Sequence, residues 1–153
     1  MIPEIRQFFE RHIGRAGAGV PDEARCMQLA AAALLEEAVH GELVCEEMEV
    51  DEVHLAIGQA FDLPREQLEA VIELTELEAR QDEFCCEFGD LIRDHFGRDH
   101  KARLAEMLWL AVYAGDGRVD EFERDLVVKA ASMAGIQDEE LRAAFAQVAG
   151  TRH

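Results

Sequence analysis

Apolar residues return at three- and four-residue spacing along almost the whole chain, and no stretch alternates apolar with polar residues between turn signals as a strand would. That pattern confines the chain to an all-α fold, a single helical bundle of about seven or eight helices. At 153 residues it has the length of one domain, enough to build a core without disulfides or metal.

The helices can be placed from their apolar stripes and their punctuation. An N-terminal helix carries Ile5, Phe8, Phe9 and Ile13, and "GRAGAGVP" follows as a linker closed by Pro21, so residues 1–20 read as helix plus linker and 21–150 as the main helical domain. A second helix is predicted over 22–40, with Met27, Ala31, Leu34, Leu35 and Ala38 on one face and Gly41 as its stop. A third covers about 46–60. Pro64 suits a first helical turn and leads into Leu68, Val71, Ile72 and Thr75 on one stripe, with the acidic run "ELTELEARQDE" expected on a solvated face. A short helix through "EFCCEFGDLIRDHF" stops near Gly97. The next buries Leu104, Met107, Leu108 and Ala111, with Trp109 and Tyr113 as core or core rim. The segment after Asp120 aligns Phe122, Leu126, Ala130 and Met133 before Gly135, and Asp138 opens a last helix through Leu141, Phe145 and Val148.

Charge restricts the partners. With 33 acidic side chains against 15 basic ones, the formal charge is −18, and no Lys/Arg cluster is present to follow a phosphate backbone or an anionic lipid surface. Nucleic acid is therefore disfavoured, and cations or basic protein patches are the partners such a surface attracts. The N-terminus has no apolar signal region, and no segment offers 18 uncharged apolar residues, which implies a cytoplasmic protein without direct membrane insertion. Cys26, Cys45, Cys85 and Cys86 then read as reduced, buried thiols. The oligomeric state stays open.

Two corners between helices carry the same acidic pattern. "GELVCEEME" and "GDGRVDEFE" align without gaps, placing Glu42, Glu46 and Glu49 in register with Asp116, Asp120 and Glu123. Beyond each lie a helix, an apolar residue at a turn (Leu63, Ile136) and a further helix with its first apolar anchor five residues on (Leu68, Leu141). The chain thus reads as two pseudo-symmetric halves, about 22–80 and 98–150. Three carboxylates crowded at a corner repel one another, and a cation between them relieves that repulsion. Hard oxygen ligands suit calcium, magnesium or manganese.

Other readings stand beside the metal. Asp120 and Glu123 also form a capping box, which accounts for neither Asp116 nor Glu46. Aligned with a calcium-binding EF-hand loop, Asp116, Gly117, Asp120 and Glu123 take positions five, six, nine and twelve, but Val112 and Ala114 stand where the first and third ligands belong. Glu37 with His40, and Asp51 with His54, have or approach the Glu-x-x-His spacing of di-iron bundles, and Cys85–Cys86 invites a thiol chemistry. Adjacent helical residues point about 100° apart, however, and no basic residue is near to activate either thiol. No nucleophile elbow, phosphate loop, dinucleotide motif or zinc-protease motif occurs, so no catalytic residues are assigned. A metal-free acidic module that docks a basic protein is the alternative.

The segments "IRQFFERHI", "LAAAALLEEAVHGELVCEEME", "AFDLP", "LIRDHF" and "LWLAVYAGDGRVDEFERDLVVKAA", in this order and over nearly the whole chain, resemble the TerB-like tellurite-resistance family of bacteria. The resemblance implies an all-helical fold of two similar halves and no established enzymatic activity. It also implies an acidic cluster for divalent metal ions (calcium, magnesium, manganese or zinc) and a role in tellurite resistance and chemical stress beside other Ter proteins, including a TerC-like membrane protein. Carried onto this chain, the acidic positions are Glu37, Glu42, Glu46 and Glu49 in the first half and Asp116, Asp120 and Glu123 in the second. The chain departs from the family in having Glu42 and Glu46 where Asp is usual, and Gly115 where Ala is usual.

Overall fold

The computed structural model describes residues 3–13, 23–41, 57–80, 87–113 and 121–151. Every regular element among them is a helix. Helix α1 (Pro3–Phe8) runs on into a π-helical turn, Phe9–Ile13. It is followed by α2 (Glu23–Gly41), a short helical stretch over 57–61, α3 (Arg65–Ala79), α4 (Glu87–His95), α5 (Arg98–Tyr113), α6 (Glu121–Met133) and α7 (Asp138–Thr151). The all-α expectation holds, and the predicted helix ends fall within a few residues of the observed ones. Of the helix expected over 46–60, only the end at 57–61 lies within the described residues.

Helix α2 is the axis of the fold. The sequence predicts one buried face, but Leu29, Ala30, Ala31, Ala32, Ala33, Leu34 and Leu35 are all buried, so the helix is enclosed on every side. The run of alanines explains the difference. With only a methyl at four successive positions, neighbouring helices can approach α2 from several directions, and it packs against α3, α4, α5, α6 and the π-helical turn. Cys26 is buried at its N-terminal end and is not in a disulfide. Cys45, Cys85 and Cys86 lie outside the described residues.

The N-terminal helix belongs to the same core. Ile5, Phe9 and Ile13 are almost completely buried, and Phe8 meets Phe88 of α4 edge-on with ring centroids 6.1 Å apart. Residues five, nine and thirteen are four apart, one step of a helical stripe, and the π-helical turn keeps the last two on the inward side.

Two turns share one geometry. After 57–61, Asp62 takes a left-handed φ of +49°, the N–H of Leu63 donates to the Gly58 carbonyl (3.2 Å), and the N–H of Asp62 donates to that of Gln59 (3.4 Å). After α6, Gly135 takes φ +74°, Ile136 N–H donates to Ala131 O (2.9 Å) and Gly135 N–H to Ser132 O (3.1 Å). Both are Schellman turns, in which a left-handed residue lets the chain reverse while the last helical carbonyls stay paired. They fall at the Leu63 and Ile136 positions that the sequence alignment places opposite each other, and each is followed by a helix, α3 or α7. In the first turn the guanidinium of Arg25, from α2, also donates to Asp62 O (3.0 Å).

In the second half, α5 packs chiefly on α7, as α2 packs chiefly on α3. Trp109 of α5 is buried. Its indole N–H donates to the carbonyl of Leu141 (3.0 Å), and its ring meets Phe145 at a 73° angle with centroids 4.8 Å apart. It is a core-rim residue, as its spacing from neighbouring apolar residues predicts.

Candidate functional site

Of the seven acidic positions, Glu42, Glu46, Glu49, Asp116 and Asp120 lie outside the described residues, and Glu123 is placed only as a member of the first turn of α6. Asp51 and His54 also lie outside them, and His40 is placed only as a member of α2. The side chain of Glu37 is described, and its position is not that of a surface carboxylate.

Glu37 lies in the penultimate turn of α2 and is fully buried. Its Oε2 accepts the N–H of Phe88 (2.8 Å) and its Oε1 the N–H of Gly89 (3.0 Å). Both amides belong to the first turn of α4, where backbone N–H groups have no partner within the helix. Glu78 of α3, 1% exposed, accepts a third N–H of this turn, that of Glu87 (2.9 Å), on Oε2. Two glutamates from two other helices therefore cap the start of α4 by accepting amides that have no partner within it.

Close packing fixes the arrangement from the other side. A Cβ placed on Gly89 would lie 3.0 Å from the Met133 Cβ and 3.0 Å from its carbonyl oxygen, so glycine is what lets α4 sit against the C-terminal end of α6. Glu37 is thus placed near that end, whereas Glu123 lies ten residues earlier on α6, about 15 Å along the helix.

The two carboxyls face one another in a site that excludes water. Burial raises the Glu37 carboxyl well above its ordinary value. The hydrogen bond and charge of Glu78 push in the same direction, while the amides of Phe88 and Gly89 pull it back. Glu78 is also raised, first by burial and then by the charges of Glu87 and Asp90, against the lowering effect of its bond with Glu37 and the Glu87 amide. The two carboxyls titrate as a pair, both raised by the burial they share. Chemically the pair is a buried acid joining α2, α3 and α4. One oxygen, Glu78 Oε1, has no hydrogen-bond partner among the described residues.

Glu78 corrects the reading of "ELTELEARQDE" as a solvated face. Val71, Thr75 and Glu78 stand at i, i+4 and i+7 and all are buried; the Thr75 hydroxyl donates to the carbonyls of Val71 (3.1 Å) and Ile72 (3.0 Å). The signal was in the sequence, since Glu78 continues the stripe that begins at Val71. Its acidic neighbours Glu73 and Glu76 mask that signal.

Among the described residues no three His, Cys, Asp or Glu side chains are grouped to hold a metal ion, and no helix is long and apolar enough to cross a membrane. A family model described as "Tellurite resistance protein TerB" matches residues 28–146, most of the chain. This chain belongs to the TerB family. The TerB match takes in Glu37, Glu78, α4 and both acidic corners, and it leaves α1 outside. No curated protein and no solved structure matches the chain.

Proposed function

We propose that this TerB-family chain is a non-catalytic, cytoplasmic protein of tellurite resistance and chemical-stress response that binds divalent cations at its two acidic corners. Glu42, Glu46 and Glu49 serve one site, and Asp116, Asp120 and Glu123 the other. The observation that carries the reading is the duplication of the pattern inside the matched span. The recurrence of one turn geometry after 57–61 and after α6 supports it, since a duplicated pattern of helices is what a duplicated acidic site requires. A helix cap alone would not require three carboxylates at both places.

Glu37 takes a different part in this reading. Its oxygens already accept two backbone amides, so it fixes α4 on α2 from within, and the first corner's ligands are the three glutamates that follow Gly41. A TerC-like membrane protein and other Ter components are the partners that family membership suggests.

The test is thermal unfolding at low salt with calcium, magnesium, manganese or zinc. A ligand at 100 times its dissociation constant stabilises by about 2.7 kcal/mol, which for a domain of this size raises Tm by roughly 5–10 °C. Asp116→Asn with Asp120→Asn should abolish most of the rise, and Glu42→Gln with Glu46→Gln the rest. Absence of any shift with all four ions would defeat the proposal. If those variants instead raise the metal-free Tm and weaken a salt-sensitive protein contact that survives chelation, the alternative of an acidic docking module takes its place; the formal charge of −18 is what favours it.

A further inference from the structure

A cleft of about 450 Å³ opens between α6 and α7, over the Trp109 edge of α5. Its walls are Trp109, Leu141, Phe145 and Val128, and the last of these is 44% exposed although it is apolar. The indole N–H is already committed to the Leu141 carbonyl, so Trp109 offers the cleft only hydrocarbon. Arg124, Arg142 and one carboxylate, Asp138, stand at the same cleft, and neither arginine makes an ion pair with any described residue, in a chain with more than twice as many acids as bases. An apolar wall with a few convergent charged groups, at this volume, is the usual constitution of a small-molecule site.

The charge pattern narrows the occupant. Two guanidiniums attract an anion and present planar donors to a carboxylate. Toward the turn after α6 the cleft continues into a second, more polar cavity that shares Val128, Asp138 and Leu141 and adds Glu139. Those two carboxylates repel a second anionic group, and the formal charge of −18 disfavours any polyanion at long range. A single negative headgroup on an apolar body meets all three conditions.

We propose that this cleft binds a small organic monoanion of the medium-chain or aromatic carboxylate class, with its body against Trp109, Phe145, Leu141 and Val128 and its headgroup on Arg124 and Arg142. The site is independent of the acidic corners and needs no metal.

Trp109 is the chain's single tryptophan and lines the cleft, so its fluorescence reports occupancy directly. The probes are octanoate, octanol and octylammonium, which share one tail and differ in charge. Octanoate should change the emission saturably, with octanol about tenfold weaker and octylammonium weaker still. Arg124→Gln with Arg142→Gln should bring octanoate down to the level of octanol, since both side chains are exposed and their loss leaves the fold intact. Val128→Glu, also at an exposed position, should abolish octanoate binding without lowering Tm. Chelation should leave every result unchanged, so failure here is separable from failure of the cation sites. No saturable change, equal affinity for the three probes, or wild-type binding by either variant would overturn the proposal.

Discussion

Replacing Glu37 tests the most unusual contact in the fold. In Glu37→Ala the N–H groups of Phe88 and Gly89 lose their acceptor inside a buried site. Each orphaned donor costs about 1–3 kcal/mol, so the variant should lose roughly 2–6 kcal/mol, a large part of a typical total of about 5–15 kcal/mol. Glu37→Gln keeps one acceptor and sets its NH2 against the other backbone N–H, so it should cost less than the alanine variant while remaining destabilising. The same pair predicts a pH dependence. Because both folded-state carboxyls are raised, the folded chain holds more protons than the unfolded chain above about pH 4.3, the ordinary value for Glu. The pair's contribution to stability is therefore greatest at and below that pH and falls as pH rises through the raised range. Glu37→Gln should flatten this slope relative to Glu66→Gln, an exposed control that lowers the net charge equally. Urea unfolding from pH 4 to 8, compared through midpoints at constant m, measures both effects. A loss below about 1 kcal/mol in the alanine variant, or parallel pH slopes in the two glutamine variants, would refute the capping argument.

Two further variants test the packing around this site and the second half. Gly89→Ala gains about 1 kcal/mol of helix propensity, but its methyl would press on Met133, including the backbone carbonyl, at 3.0 Å. Overpacking against backbone costs about 1–3 kcal/mol, so a net loss is expected by urea unfolding, whereas Gly97→Ala, with nothing within 4 Å of the new methyl, serves as the control. Trp109→Phe removes the bond to Leu141 O and part of the ring that meets Phe145; circular dichroism should show a loss of about 1–3 kcal/mol.

The helical architecture was legible because it depends on periodicity, which a single chain displays directly. The positions of Gly135, Pro64 and Asp138 at helix boundaries follow from local chemistry and were legible for the same reason. The burial of α2 on all sides was not, because an alanine run has the same appearance whether one neighbour approaches it or several. The buried acid was half legible. Glu37 was singled out through the family pattern, but its partners are amides more than 50 residues away, and such a pairing leaves no periodic trace. Glu78 lay on a readable stripe, yet its charge argues for solvent. Only the helix start brought against it by α4 makes its burial stable.

The position of α1 bears on what counts as the domain. The TerB match begins at residue 28, while Ile5, Phe9 and Ile13 are sealed within the core and Phe8 meets Phe88 just beside the amides that Glu37 holds. The span by which the family is recognised and the unit that excludes water are therefore not the same object. In this chain a helix outside the matched span closes one side of the core with its apolar stripe, and changes to that stripe act on the buried acid through Phe8 and Phe88.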